Sequence, residues 1–192
     1  TRVPTLENGG ISADGTLYSF PIRKGVKFHN GADLTPQDVA YSFKRSMIAD
    51  PDGGPMWMLL EALTGKSSTR DDNGKIRPGI FEMIDDAISI RGDSVILRLP
   101  RPYPPLMGIL ANSSAVVVDQ EWAIANGCWN GRIDQAQKFN NPAPGYEPLS
   151  KIANGTGAYR LKSWEPSKQF VFERFDGYWG AKPMLKRAIV KY

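Results

Sequence analysis

Between Gly15 and Arg23 the side chains alternate, with Leu17, Ser19 and Pro21 on one face and Tyr18, Phe20 and Ile22 on the other. A period of two predicts a strand, and Pro21, which has no N–H to donate to a neighbour, puts that strand at a sheet edge. "KGVKFHNG" then runs through a short extended piece to a turn at Asn30-Gly31. From Val39 the period changes: Val39, Ala40, Phe43 and Met47 recur at spacings of three and four. Thr35 before them suits an N-cap, Pro36 the first helical position, and Asp38 the third residue of a capping box, where its charge also meets the positive end of the helix dipole. Lys44 and Arg45 stand toward the far end, and "DPDGGP" (50–55) stops the helix.

Met56 to Leu63 predicts a second helix, and the polar stretch 64–79 a loop. Ile88 and Ile90, then Gly92-Asp93, then Val95, Leu97 and Leu99 predict a hairpin that Asp85-Asp86 opens. Short helices are expected at 105–111 and 120–126, with "SAVVVD" (114–119) between them as a buried strand. Residues 127–155 are polar and rich in Pro and Gly, hence loop. Three strands follow at 158–164, 169–175 and 187–192, the first two paired across "EPSK". Strands at both ends and helices between them predict an α+β chain with mixed or antiparallel strands and helices packed on them, not a regular βαβ series.

Composition narrows the classes. A chain of 192 residues allows one domain, or one domain and part of another. Lysine and arginine exceed aspartate and glutamate by 24 to 20, but the cations are scattered, with no stripe of the kind that grips nucleic acid. No apolar run approaches the roughly 20 residues that span a bilayer, and no signal peptide opens the chain. A start at Thr1 and a last strand that stops at Tyr192 suggest an excised segment.

Candidate chemistry is sparse. His29 is the single histidine and Cys128 the single cysteine, and no Cys/His spacing suits zinc. His29 lies beside Asn30, Asp33 and Asp38, but the aspartates have simpler uses in a turn and a cap, so a scaffold role is expected for it. Asp71-Asp72 lies in a loop and Asp85-Asp86 opens a hairpin strand, where adjacent residues point to opposite faces, so neither pair forms an obvious acid/base couple. "NGTGAY" (154–159) is followed by a strand, whereas a phosphate loop needs a helix N-terminus there. Trp57, just after the breaker, is the best aromatic wall for a cleft.

Two segments carry a family likeness. "YSFPIRKGVKFHNGADLTPQDVAYSFKR" (18–45) resembles the signature of the family-5 extracellular solute-binding proteins, the peptide/nickel-type components of ABC importers. "NGTGAYRLKSWEPSKQFVFERFDGYWGAKPMLKRAIVKY" (154–192) is similar to the same family's glycine-rich strand entry, Trp-x-Pro turn and Tyr-Trp-Gly step, and the hairpin fits between them. Ala158, where proline is usual, and Gly9, near a usual tryptophan, depart from the pattern.

The resemblance implies a fragment of a class II periplasmic-binding-protein fold. Residues 1–23 and 154–192 would be strands of the main part of lobe I, and 24–153 its smaller inserted subdomain. It implies an exported protein, periplasmic or held as a lipoprotein at the outer face of the membrane. Its partners would be a small-molecule or peptide ligand, ABC permease subunits and the second lobe of its own receptor, and it would need no metal or other cofactor. The residues that pin a peptide's charged ends belong largely to that second lobe. Met56, Trp57, Asn154, Gly155 and Thr156 are the ligand-contacting candidates here. An enzyme, a hydrolase acting on peptides or sugars, is the alternative and would need a nucleophile–base or carboxylate pair in a pocket.

Overall fold

The computed structural model describes residues 3–143 and 145–192. At its centre is helix α1 (Pro36–Ala49), started as its sequence dictates. Thr35 Oγ1 accepts from the Asp38 N–H, and Asp38 Oδ2 accepts from the Thr35 N–H at 2.8 Å and the Thr35 hydroxyl at 2.6 Å. Asp50, in the left-handed conformation, ends the helix. Five consecutive residues, Val39 to Phe43, are buried, so α1 is wrapped by its neighbours rather than laid on them.

Those neighbours are α2 (Trp57–Thr64), α3 (Ile80–Asp86), α5 (Gln120–Ala125) and a sheet, while α4 (Leu106–Leu110) packs on α2. In that sheet β3 (Ser94–Arg98) lies between β1 (Leu17–Pro21) and β2 (Ile88–Arg91), all antiparallel. β1 is an edge strand, where Pro21 is tolerated. Gly92, at φ 57°, supplies the left-handed residue that the two-residue hairpin turn needs. Met47, Ile48, Leu60, Ile84, Val95, Leu97 and Leu106 are all completely buried where these elements meet.

A second antiparallel sheet, β4 (Tyr159–Glu165), β5 (Gln169–Arg174) and β6 (Arg187–Lys191), stands beside this core. The strands are thus split between two antiparallel sheets. The β1–β3 ladder joins residues 17–21 to 94–98.

Three expectations need correction. Residues 80–86 form α3, which buries Ile80, Phe81 and Ile84; the polar stretch before it hides its onset. Asp85 and Asp86 therefore end a helix instead of opening a strand, and Asp85 takes an ion pair from Lys44 at 2.6 Å. "SAVVVD" is not a strand. Its start is a 3-10 turn (Ser113–Ala115), and Val116–Val118 run extended without a partner strand. The backbone there is held by the Ser42 hydroxyl of α1, which accepts from the Val118 N–H at 2.9 Å. The segment 127–155 is not featureless: it carries 3-10 turns at Ile133–Phe139 and Pro148–Lys151. It also sends Trp129 into the core, stacked on Tyr41 with ring centroids 5.7 Å apart.

Among the described residues no helix is long and apolar enough to cross a membrane.

Candidate functional site

His29 joins the two parts of the molecule. Its backbone N–H donates to the Gly155 carbonyl at 2.9 Å, its ring Nδ1 accepts from the Gly155 N–H at 3.3 Å, and its ring Nε2 lies 3.0 Å from the Gly157 carbonyl. That pattern is met by the neutral ring with its proton on Nε2. Phe175, just past the end of β5, meets the imidazole edge-on at 5.0 Å. Next to it, Asp119 acts as a hub. Its Oδ2 accepts from Asn30 Nδ2 at 2.7 Å and Asn154 Nδ2 at 3.4 Å, and its Oδ1 accepts from the Trp122 N–H, capping α5. The Asn30 N–H donates to Asn154 Oδ1 at 3.1 Å. Both ring nitrogens of His29 are thus spent on backbone, which is a scaffold role.

Beyond this clasp, three cavities follow one another along the surface. The middle one, about 510 Å³, lies between the C-terminal half of α1, Val116–Val118 and the segment 149–155. Its lining is mostly apolar because the unpaired valines and Met56 turn toward it. Trp122, Ile152 and Ala153 also line a second cavity of about 680 Å³ against β4. Arg45, Ala49 and Glu147 also line a third, about 440 Å³, beside Trp129 and Tyr146. Arg45 and Glu147, an ion pair, form the wall between the middle and third cavities.

The candidates from sequence are not all in one place. Met56, Asn154 and Gly155 line the middle cavity. Met56 is buried, and the Asn154 amide and both Gly155 backbone groups are engaged in the clasp. Trp57 is half exposed and lines a separate pocket with Asp50, Asp52 and Arg70. Thr156 lines none of the three connected cavities. Sequence reasoning passed over Arg45, Glu147, Trp122 and Val116–Val118. Arg45 belongs to the quoted family signature and was the one signal available; its partner is 102 residues away.

Catalytic groups do not converge here. Cys128 is buried, and burial pushes its thiol pKa up, away from the reactive thiolate. Burial pushes the nearby Tyr41 phenol up as well, and its hydroxyl donates to the Trp129 carbonyl at 2.6 Å. Among the described residues no group of three or more His, Cys, Asp or Glu side chains is placed to hold a metal ion.

Comparison with known proteins gives a consistent result. The chain is 27% identical to the dipeptide-binding protein of Escherichia coli (strain K12) over 95% of its own length, and 24% identical to the oligopeptide-binding protein OppA of Bacillus subtilis (strain 168) over 88%. It spans 31% and 27% of those relatives, roughly a third of their length or less. Among solved structures it is similar to the periplasmic binding protein DppA from Helicobacter pylori in complex with the peptide STSA, with a TM-score of 0.61 and 21% identity. That match covers 94% of this chain and 32% of the other. AgaA from A. tumefaciens R10, in complex with agropinic acid, gives the same TM-score and identity, over 94% of this chain and 28% of the other. These likenesses show a fold shared with part of the periplasmic binding proteins. Residues 4–192 match the family described as bacterial extracellular solute-binding proteins, family 5 Middle, and the chain belongs to that family.

Proposed function

We propose that this chain is part of the first lobe of a receptor that captures a short peptide or similar solute outside the cytoplasm and hands it to an ABC permease. The observation that carries the proposal is the open, mostly apolar cavity of about 510 Å³ between α1 and the segment 149–155, in a member of a solute-binding family. A cavity of this size suits a small ligand, and it lies open to solvent, as one wall of a two-walled site would. Closure of a second lobe over it, in hinge fashion, then buries the solute.

In this reading residues 24–153 form the smaller subdomain, and 1–23 with 154–192 belong to the main part of the lobe. Met56, Asn154 and Gly155 form the floor of the site, while Trp57 and Thr156 meet the ligand or the second lobe at its margins. The exposed apolar face of the second sheet, with Trp164, Val190 and Tyr192, is covered by the remainder of the receptor, in keeping with relatives about three times longer. The receptor works in the periplasm or at the outer face of the membrane. Neither resident metal nor cofactor is needed, because capture makes and breaks no bond.

The commitment of both His29 nitrogens and the burial of Cys128 speak against the hydrolase reading. The test is calorimetric titration of the full-length chain containing residues 1–192 with short peptides, with product analysis of the same mixtures. Micromolar binding, at about −8 kcal/mol, with the peptides recovered intact is expected. Turnover that disappears in Cys128→Ala or His29→Gln would overturn the proposal.

A further inference from the structure

The charges along the three cavities are one-sided. Arg45, Lys138, Lys151 and Lys162 line them, against a single carboxylate, Glu147, which is already paired with Arg45. That leaves an excess of three positive charges in the groove. The chain's overall surplus does not produce this, because elsewhere the lining has the opposite sign: the cavity beside the start of α1 is lined by Asp33, Asp38, Asp119 and Glu121 with no cation.

The cations differ in how free they are. Lys162 shares Glu173 with Arg160, so two cations there face one carboxylate. Among the described residues neither Lys138 nor Lys151 has an ion-pair partner. Arg45 is largely buried, and Glu147 takes one of its N–H groups. A guanidinium has five donors in a fixed fork, which match a carboxylate in two-pronged fashion, so Arg45 keeps capacity for a second anion. Between these charges lie apolar surfaces, Trp122 and Ile152 in the middle and Trp164 toward β4.

We infer that the groove selects short peptides of net negative charge, carrying an acidic side chain in addition to the terminal carboxylate, with Arg45 and Lys151 as the carboxylate partners. This inference rests on the peptide-capture reading above and narrows its substrate class. Apolar atoms of such a peptide lie on the tryptophans, and its carboxylates replace water at the cations. A lysine-bearing peptide of the same length would bring its ammonium among like charges with no unpaired carboxylate to receive it. Because Lys151 is exposed, part of the preference falls with salt.

The test titrates the full-length chain containing residues 1–192 with Ala-Glu-Ala, Ala-Gln-Ala and Ala-Lys-Ala at neutral pH, in about 20 mM and again about 0.5 M NaCl. Ala-Glu-Ala should bind at least about tenfold more tightly than Ala-Lys-Ala at low salt, with the ratio shrinking at high salt. Arg45→Gln and Lys151→Gln should each narrow the ratio by about threefold. Loss of Arg45 can also disturb the loop that Glu147 holds, so Lys151→Gln, on an exposed side chain, is the deciding variant. Equal affinities, or a preference for Ala-Lys-Ala, overturn the inference while peptide capture stands. A preference for Ala-Glu-Ala that Lys151→Gln leaves unchanged overturns the assignment to this groove. Failure of all three peptides to bind overturns peptide capture itself and the inference with it.

Discussion

The two sheets of this molecule are built from similar strands and treated very differently. In the first, Val95 and Leu97 of β3 are completely buried under α1 and its neighbours. In the second, Val171 is the one buried hydrophobic residue of its strands, while Trp164, Ile189 and Val190 are exposed. A sheet needs a partner for its apolar face, and only the first has helices to provide one. The second is held at its inner end, by His29, Asn30 and Asp119 acting on residues 154–157, and by Arg23 lying 4.6 Å over the ring of Trp179. The core-forming part thus has the means to fold by itself, and the second sheet is an outlying wall with an exposed apolar face.

That contrast can be broken most severely in the first region. Leu60→Ala empties a fully buried site among α1, α2 and their neighbours and should cost about 2–5 kcal/mol in urea denaturation of residues 1–192. A loss below about 1 kcal/mol would mean that the core is not closed as described. A middle-sized effect is expected at the joint. Asp119→Ala leaves Asn30, Asn154 and the Trp122 N–H without their acceptor and should cost about 1–3 kcal/mol. Hydrogen exchange should then rise at residues 154–157 before it rises in α1; uniform exchange in both would show that the hub does not join the two regions. The smallest effect belongs to the second sheet. Val190→Ser should stay within about 0.5 kcal/mol in the isolated segment and cost more in the full-length chain, where the remainder of the receptor is proposed to cover this face. Equal small effects in both would show that nothing covers it.

What could be read from sequence follows the same divide between local and distant causes. The start of α1 was legible because Thr35, Pro36 and Asp38 act within one turn of each other. The hairpin was legible because Gly92-Asp93 sits between alternating apolar residues. The three late strands were found to within a residue or two at their ends. α3 was lost because seven residues give too few helical repeats to stand out, and Gly79 supplies no side-chain cap. Val116–Val118 read as a strand because three consecutive valines favour one, yet a strand needs a neighbour and the chain offers the Ser42 hydroxyl instead. The candidate site was the least legible part. Its wall is an ion pair between residues 102 apart, and Asn154 and Gly155, chosen as ligand contacts, spend their polar groups on Asn30, Asp119 and His29. Scaffold and site share the same loop, and only the fold shows which groups are already used.

The central claim is that these residues supply one wall of a two-walled site. Parallel calorimetric titrations of residues 1–192 and of the full-length chain with the same mixed short peptides test it most directly. Binding a mobile ligand costs an estimated 4–15 kcal/mol in lost freedom, which one wall alone repays poorly. The account predicts micromolar binding by the full-length chain and at best millimolar binding, roughly −4 kcal/mol, by residues 1–192. Micromolar binding by residues 1–192 alone would contradict it, since the whole site would then lie within this chain.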